Sequence, residues 1–304
     1  MFANTFAAGG RVVRWWFHVN GTVTPGYDGS GNAIKISQSN ISDVKSILDA
    51  AFAAGVSVNI SLWSFDMLDA TSTDDAEGIS ATTLANNKNL LTLDANRTAY
   101  IANVLTPLAT ALKGYHGLYS YEIFNEAEGM ASDVTNAGWA ESKVPEANIQ
   151  RTVNWFASAI HDADPSVLVT TAAWTFQACD DRAGATNYYS DAALQAAGGK
   201  TNGTLDYYEV HYYSNDGTGN SPFVNKASFW DLDKPVLMGE FYALATDGVA
   251  ADNIYTTLFG NGYKGAWAWE YTASSGNAAG SQWPSMQAPM EALYKADASS
   301  LNCQ

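Results

Sequence analysis

Cysteine is almost absent from this chain of 304 residues, which carries only Cys179 and Cys303. The two are far apart and make neither a CxxC nor a metal-binding spacing. They either form one disulfide that ties down the C-terminus or are two unrelated thiols. Histidine is scarce as well. His18, His116, His161 and His211 form no HExxH and no paired spacing, so no metal site and no cofactor are expected. No G-x-S-x-G elbow is present, which argues against a serine hydrolase. Positive charge is in deficit: 15 Lys and Arg face 31 Asp and Glu, for a net charge of −16 and a pI near 4.4. That balance argues against nucleic acid and anionic membranes as partners. It also disfavours strongly acidic polymers as substrates, and it suits solubility in an extracellular or saline setting.

Long apolar runs are missing too. None approaches the roughly 20 residues that cross a bilayer. The opening MFANTFAAGG has no basic n-region and no sustained apolar h-region, so no signal peptide is expected within this sequence. Asn-x-Ser/Thr sequons at Asn20, Asn40, Asn59, Asn96 and Asn202 fit secretion, although Asn59 lies in an expected buried strand. No low-complexity linker and no repeat of 20–50 residues divides the chain, so one domain over 1–304 is expected.

What the chain does have is a recurring alternation. Seven runs rich in Val, Ile, Tyr and Trp read as strands: 12–18, 56–63, 118–126, 167–174, 205–213, 235–241 and 265–271. Helical periodicity over 41–55, 98–115 and 147–165 separates several of them, with a bend expected at Pro107. Strands alternating with helices imply parallel pairing, and near-continuous apolar strands imply burial on both faces. A (β/α)8 TIM barrel fits best, with an open doubly wound sheet as the alternative. The strand ends decide between them. His18, Trp63, Glu126, Trp174, His211, Tyr213, Glu240 and Trp269 all stand at the C-terminal ends of runs, the face where such barrels build their sites. An open sheet gathers its chemistry at one switch point, and no Gly-rich phosphate turn follows the first run. The first barrel strand has no counterpart. It is either lost upstream of Met1, the reading preferred here, or replaced irregularly by the N-terminal segment, in which FANTFAAGG reads as the tail of a helix.

Two carboxylates stand out. Glu126 and Glu240 end runs three strands apart, and barrel geometry can bring them face to face. A retaining glycosidase needs two carboxyl groups about 5–5.5 Å apart, one protonated and one ionised. Asn125 can hydrogen-bond a sugar hydroxyl such as the 2-OH. Gly239 allows close approach of substrate or a neighbouring chain to the Glu240 strand. Arg14 in the first run is the expected cation that keeps Glu240 ionised. Trp63, Trp174 and Trp269 end strands and could stack on pyranose rings. Trp15, Trp16, Trp155 and Trp230 read as packing. Glu122, Glu209 and Glu270 alternate with aromatics and read as structural supports. Glu128 and Asp66 read as loop groups, with Asp66 within possible reach of sugar, and His18 either lines the cleft or packs.

The ordered set of Arg14, Asn125-Glu126, His211-x-Tyr213, Gly239-Glu240-Phe241 and Trp269 resembles the clan A retaining glycoside hydrolases, and is most similar to family 5. The resemblance spans essentially the whole chain from the second barrel strand onward. It implies Glu126 as acid/base and Glu240 as nucleophile. Tyr213 would then hydrogen-bond the nucleophile, and His211 would contact sugar or the acid/base. Trp269 would be the platform at the cleavage subsite, and Glu122 a buried carboxylate inside the barrel. Ala127 departs from the pattern, which has Pro after Asn-Glu. The activity so implied is endo-cleavage of a neutral β-linked polysaccharide by a secreted monomer, with β-1,4-mannan ahead of β-1,4- or β-1,3-glucan on overall likeness. The alternative from another class is a catalytically silent carbohydrate-binding barrel, which would have lost one of the two carboxylates.

Overall fold

The computed structural model describes residues 1–72, 76–272 and 280–301. Cys303, half of the possible disulfide, lies outside the described residues, and Cys179 is a buried free thiol. A short helix α1 (Phe2–Ala7) opens the chain, as its sequence suggests. Six strands follow: β1 (Val12–Val19), β2 (Ser57–Ser64), β3 (Leu118–Asn125), β4 (Leu168–Ala173), β5 (Tyr208–His211) and β6 (Val236–Glu240). They form one sheet in sequence order, and every neighbouring pair is parallel. Side chains of the two ends of this order meet, since Arg14 on β1 bonds Glu240 on β6. The sheet therefore curls into most of a barrel.

The seventh expected strand, 265–271, is only partly realised. Met238 N–H donates to the Gly265 carbonyl at 3.0 Å, Trp267 N–H to Met238 at 2.9 Å and Trp269 N–H to Phe241 at 2.9 Å, so the segment runs beside β6. It makes a single parallel bridge, Met238 to Ala266, and no continuous ladder. Beyond it, toward β1, lies a cavity of about 250 Å³ lined by Val13, Trp16, Ala268, Met1 and Thr5, with Met286 from the C-terminal helix. This is the position a further stave takes in a closed barrel, and it explains why the 265–269 run has a neighbour on one edge only.

Helices cover the outside. After β1 comes α2 (Gln38–Ala53). The Ser37 side chain caps it by accepting from Asn40 N–H at 3.0 Å. Its buried residues Ile41, Val44, Leu48 and Ala51 recur at helical spacing on one face. Truncating fully buried Leu48 to Ala would cost about 2–5 kcal/mol. Next come α3 (Ala81–Thr92), α4 (Asp94–Tyr100) and α5 (Thr106–Leu112). The bend expected at Pro107 takes the form of a π-helical turn, Ile101–Leu105, directly before a first turn that contains the proline. The remaining helices are α6 (Glu146–Ala163), α7 (Asp191–Gly198), α8 (Ile254–Gly260) and α9 (Trp283–Leu301). Among the described residues no helix is long and apolar enough to cross a membrane. Three sequon asparagines, Asn20, Asn59 and Asn96, are buried and hold structural positions, while Asn202 is exposed.

Candidate active site

β2 and β3 turn their polar residues into the barrel. In VSVNISLW every second residue, Asn59 and Ser61, faces the lumen, and both bind Glu122 of β3. Glu122 accepts four hydrogen bonds: from Arg14 Nε at 2.6 Å, from an Arg14 terminal nitrogen at 2.5 Å, from Asn59 Nδ2 at 3.0 Å and from Ser61 Oγ at 2.8 Å. A carboxylate has about four acceptor positions, so this group is saturated. Arg14 is thereby fixed at the centre of the barrel. Its other terminal nitrogen donates to Glu240, and the terminal nitrogen bound to Glu122 also donates to Asn125 Oδ1 at 2.7 Å. A guanidinium can hold such a fork, whereas an ammonium cannot.

β3 ends because Glu126 adopts the left-handed region, φ 46° and ψ 52°. That conformation costs a non-glycine residue about 1–2 kcal/mol. It breaks the strand before the 3₁₀ turn Ala127–Met130 and leaves the Glu126 carboxyl at the strand's C-terminal end. Ala127 itself is fully buried in that turn. At the end of β5, His211 Nδ1 lies 2.8 Å from Glu126 Oε1 and 3.5 Å from Glu240 Oε2. One polar atom from each of Glu126, His211 and Glu240 falls within 4.8 Å of the others. A divalent cation held by this trio would sit against the Arg14 guanidinium, so the charge arrangement favours two carboxyl groups in different protonation states. The Tyr213 hydroxyl donates to Glu240 Oε2 at 2.7 Å.

The environments of the two carboxyl groups differ. Burial, reinforced by the Asp216, Asp66 and Glu122 charges and opposed by Arg14, pushes Glu126 up to about 8. Glu240 accepts from both Arg14 and Tyr213, the pattern of an acceptor-only carboxylate. Burial also holds His211 down to about 4, so its imidazole is neutral at pH 7.

The expected residues fall into two groups. Arg14, Asn125, Glu126, His211, Tyr213 and Glu240 converge on one point. Trp269 is part-exposed, packs against Trp16 at 5.4 Å between ring centres and follows β6 toward the same end. Trp174 is 8 % exposed, edge-on to Trp139, with its backbone N–H donating to Glu128. Trp63 departs from expectation. It is 1 % exposed and packed between His18 and Tyr100, with ring centres at 4.6 and 5.8 Å, so it belongs to the core and offers no open face to a sugar ring. His18 packs as well: its ring nitrogens bond Thr24 Oγ1 at 2.8 Å and Tyr100 Oη at 2.9 Å. Gly239 serves a neighbouring side chain. A Cβ there would lie 2.5 Å from Glu209 Oε1. The contribution of Asn59 and Ser61 was not anticipated, though the polar alternation in β2 is the signal that carries it.

Residues 1–282 match the family described as cellulase, glycosyl hydrolase family 5. The chain is 34 % identical over 289 residues to a mannan endo-1,4-beta-mannosidase of Cryptopygus antarcticus, covering 88 % of this chain and 71 % of that protein. The beta-mannanase of the blue mussel Mytilus edulis superposes with a TM-score of 0.86 at 29 % identity, over 99 % of this chain and 85 % of that one. The endo-1,4-beta-mannanase of Eisenia fetida gives a TM-score of 0.85 at 30 % identity, over 96 % and 81 %. With its parallel barrel sheet and two carboxyl groups facing one another at its C-terminal end, the chain belongs to glycosyl hydrolase family 5 and is a glycoside hydrolase.

Proposed function

We propose that this enzyme is a retaining endo-β-1,4-mannanase acting as a single catalytic domain. The observation that carries the reading is the pairing of Glu126 and Glu240, whose polar atoms come within 4.8 Å of each other in unlike surroundings. The names of the relatives support mannan as the polymer.

In this reading Glu126, kept protonated by burial, donates to the glycosidic oxygen as the bond lengthens. Glu240 attacks the anomeric carbon from the opposite face and forms a glycosyl-enzyme. Arg14 and Tyr213 hold the attacking oxygens in place and bear the charge that returns when the intermediate breaks down. Glu126, now a base, takes a proton from the water that releases the sugar. Its contact with the neutral His211 imidazole aims the carboxyl through both steps. Asn125 Oδ1 is occupied by Arg14 and one Nδ2 hydrogen goes to Ser64 Oγ at 3.3 Å, which leaves the second Nδ2 hydrogen as the donor for the 2-OH. Trp269 stacks on the ring at the cleavage point, and Trp174 contributes further along the mouth. A polymeric substrate, the acidic surface and the exposed sequon at Asn202 together support a secreted monomer with no nucleic-acid partner.

Incubation with mannan, glucomannan, cellulose and β-1,3-glucan, with product sizing, tests this reading. Short manno-oligosaccharides released throughout the time course are expected. Release from cellulose alone would move the assignment to β-glucanase. No release from any polymer would favour the silent binding barrel.

A further inference from the structure

Three buried acids surround one cation. Arg14 on β1 faces Glu122 on β3, Glu209 on β5 and Glu240 on β6. Its named hydrogen bonds go to Glu122, Asn125 and Glu240, and none goes to Glu209. The nearest approach to Glu209 is Arg14 Nε at 3.4 Å, and that N–H already points at Glu122. Glu122 is saturated with donors, whereas neither oxygen of fully buried Glu209 meets one among the described residues. An ionised carboxylate with no donor is the costliest state this position could hold. Protonation removes the charge and with it most of that cost.

We propose that Glu209 is held protonated as the neutral member of this cluster, which leaves the charge of Arg14 to be divided between Glu122 and the catalytic Glu240. The inference deepens the function proposed above and rests on Glu240 being the attacking group. Burial and the adjacent Glu122 charge hold the Glu209 carboxyl well above its ordinary range, with Arg14 opposing and Glu240 adding to the rise. Tyr207, the other titratable neighbour, is itself buried and held well above its usual value, so it stays neutral beside Glu209. The absent Cβ at Gly239 gives the acid its room. Glu209 does not touch the sugar. Its neutrality decides how strongly the guanidinium is drawn toward Glu240.

Infrared difference spectroscopy of the full chain at neutral pH reads protonated carboxyl groups without any substrate, so it is independent of which polymer is cleaved. The Glu209→Gln protein should lack one protonated-carboxyl stretch present in the parent. Loss of an ionised-carboxylate band instead overturns the proposal. Kinetics supply the second measurement. Glu209→Gln, which is also neutral, should leave the acidic limb of kcat/KM at its parental position. If Glu209 were ionised in the parent, Glu209→Gln would instead delete a negative charge and drive the limb down by about a unit or more. A limb displaced downward in that way contradicts the proposal.

Discussion

The Arg14 guanidinium grips Glu122 through two nitrogens, at 2.6 and 2.5 Å. This fork anchors the cation from the floor of the barrel while its remaining nitrogen reaches Glu240. Arg14→Lys should therefore fail on both counts, since a single ammonium cannot span the two acids. Activity on mannan should fall about a hundredfold or more, on the scale of losing a preorganised charge stabiliser. Denaturant unfolding should show a loss of about 3–5 kcal/mol, as when one partner of a buried pair is removed. A lysine variant within a few fold of the parent would show that Arg14 is not the anchor.

Tyr213 gives Glu240 its other donor, at 2.7 Å. Tyr213→Phe removes one hydroxyl and keeps the ring that packs on Tyr242. A hydrogen bond to a charged group contributes about 1.5–3 kcal/mol, so kcat should drop roughly ten- to a hundredfold. KM and thermal midpoint should barely move, and a change confined to KM would place Tyr213 on the sugar instead.

Glu126 must be protonated to act first. Its carboxyl is held up to about 8 by burial, so kcat/KM should decline as the pH rises through that region. With an activated aryl mannobioside, whose leaving group needs no proton, Glu126→Gln should retain glycosylation and lose the basic limb. A basic limb unchanged in that variant would assign it to another group.

Stability should also fall with pH. Burial raises Glu126 to about 8 and Glu128 to about 7, from an ordinary 4.5, and raises Glu146 well above it. Between the unfolded and folded values the native state binds more protons than the unfolded chain. The linkage slope is then negative, and stability declines as pH rises from about 5 to about 8. Melting curves across that range should shift down by several degrees, on the order expected for about 1–2 kcal/mol in a domain of this size. Glu128→Gln with Glu146→Gln should flatten the trend, and an undiminished slope in that double variant would implicate other groups.

Trp63 and Trp269 separate folding from binding. Trp63→Ala empties a core site and should cost about 3–5 kcal/mol of stability. Trp269→Ala should leave the melting temperature nearly unchanged and weaken turnover of short manno-oligosaccharides, which kinetics on mannotriose to mannohexaose would resolve.

Much of this was legible in the sequence because parallel strands buried on both faces leave few places for charge. Glu126, Glu240 and Arg14 interrupt such runs, so their positions alone pointed to the barrel lumen. Glu209 was equally visible, but its role depends on which acid receives Arg14's hydrogen bonds, and that is decided in three dimensions. Trp63 was misplaced for a different reason. A strand-final Trp can turn to the mouth or to the helix layer, and the register shift between Trp16 and Val19 against β2 is unseen in a period-two pattern. The 265–271 run has full strand character in sequence, yet away from β6 only its end is paired, Glu270 N–H to Ser281 and Trp283 N–H to Tyr271.

The most direct test of the whole account is azide rescue of Glu240→Ala on an activated β-mannobioside. If Glu240 is the nucleophile, azide enters the space left on the α face, and NMR will show an α-mannosyl azide. A β-mannosyl azide from that variant would make Glu240 the acid/base and reverse the assignment of the two carboxylates.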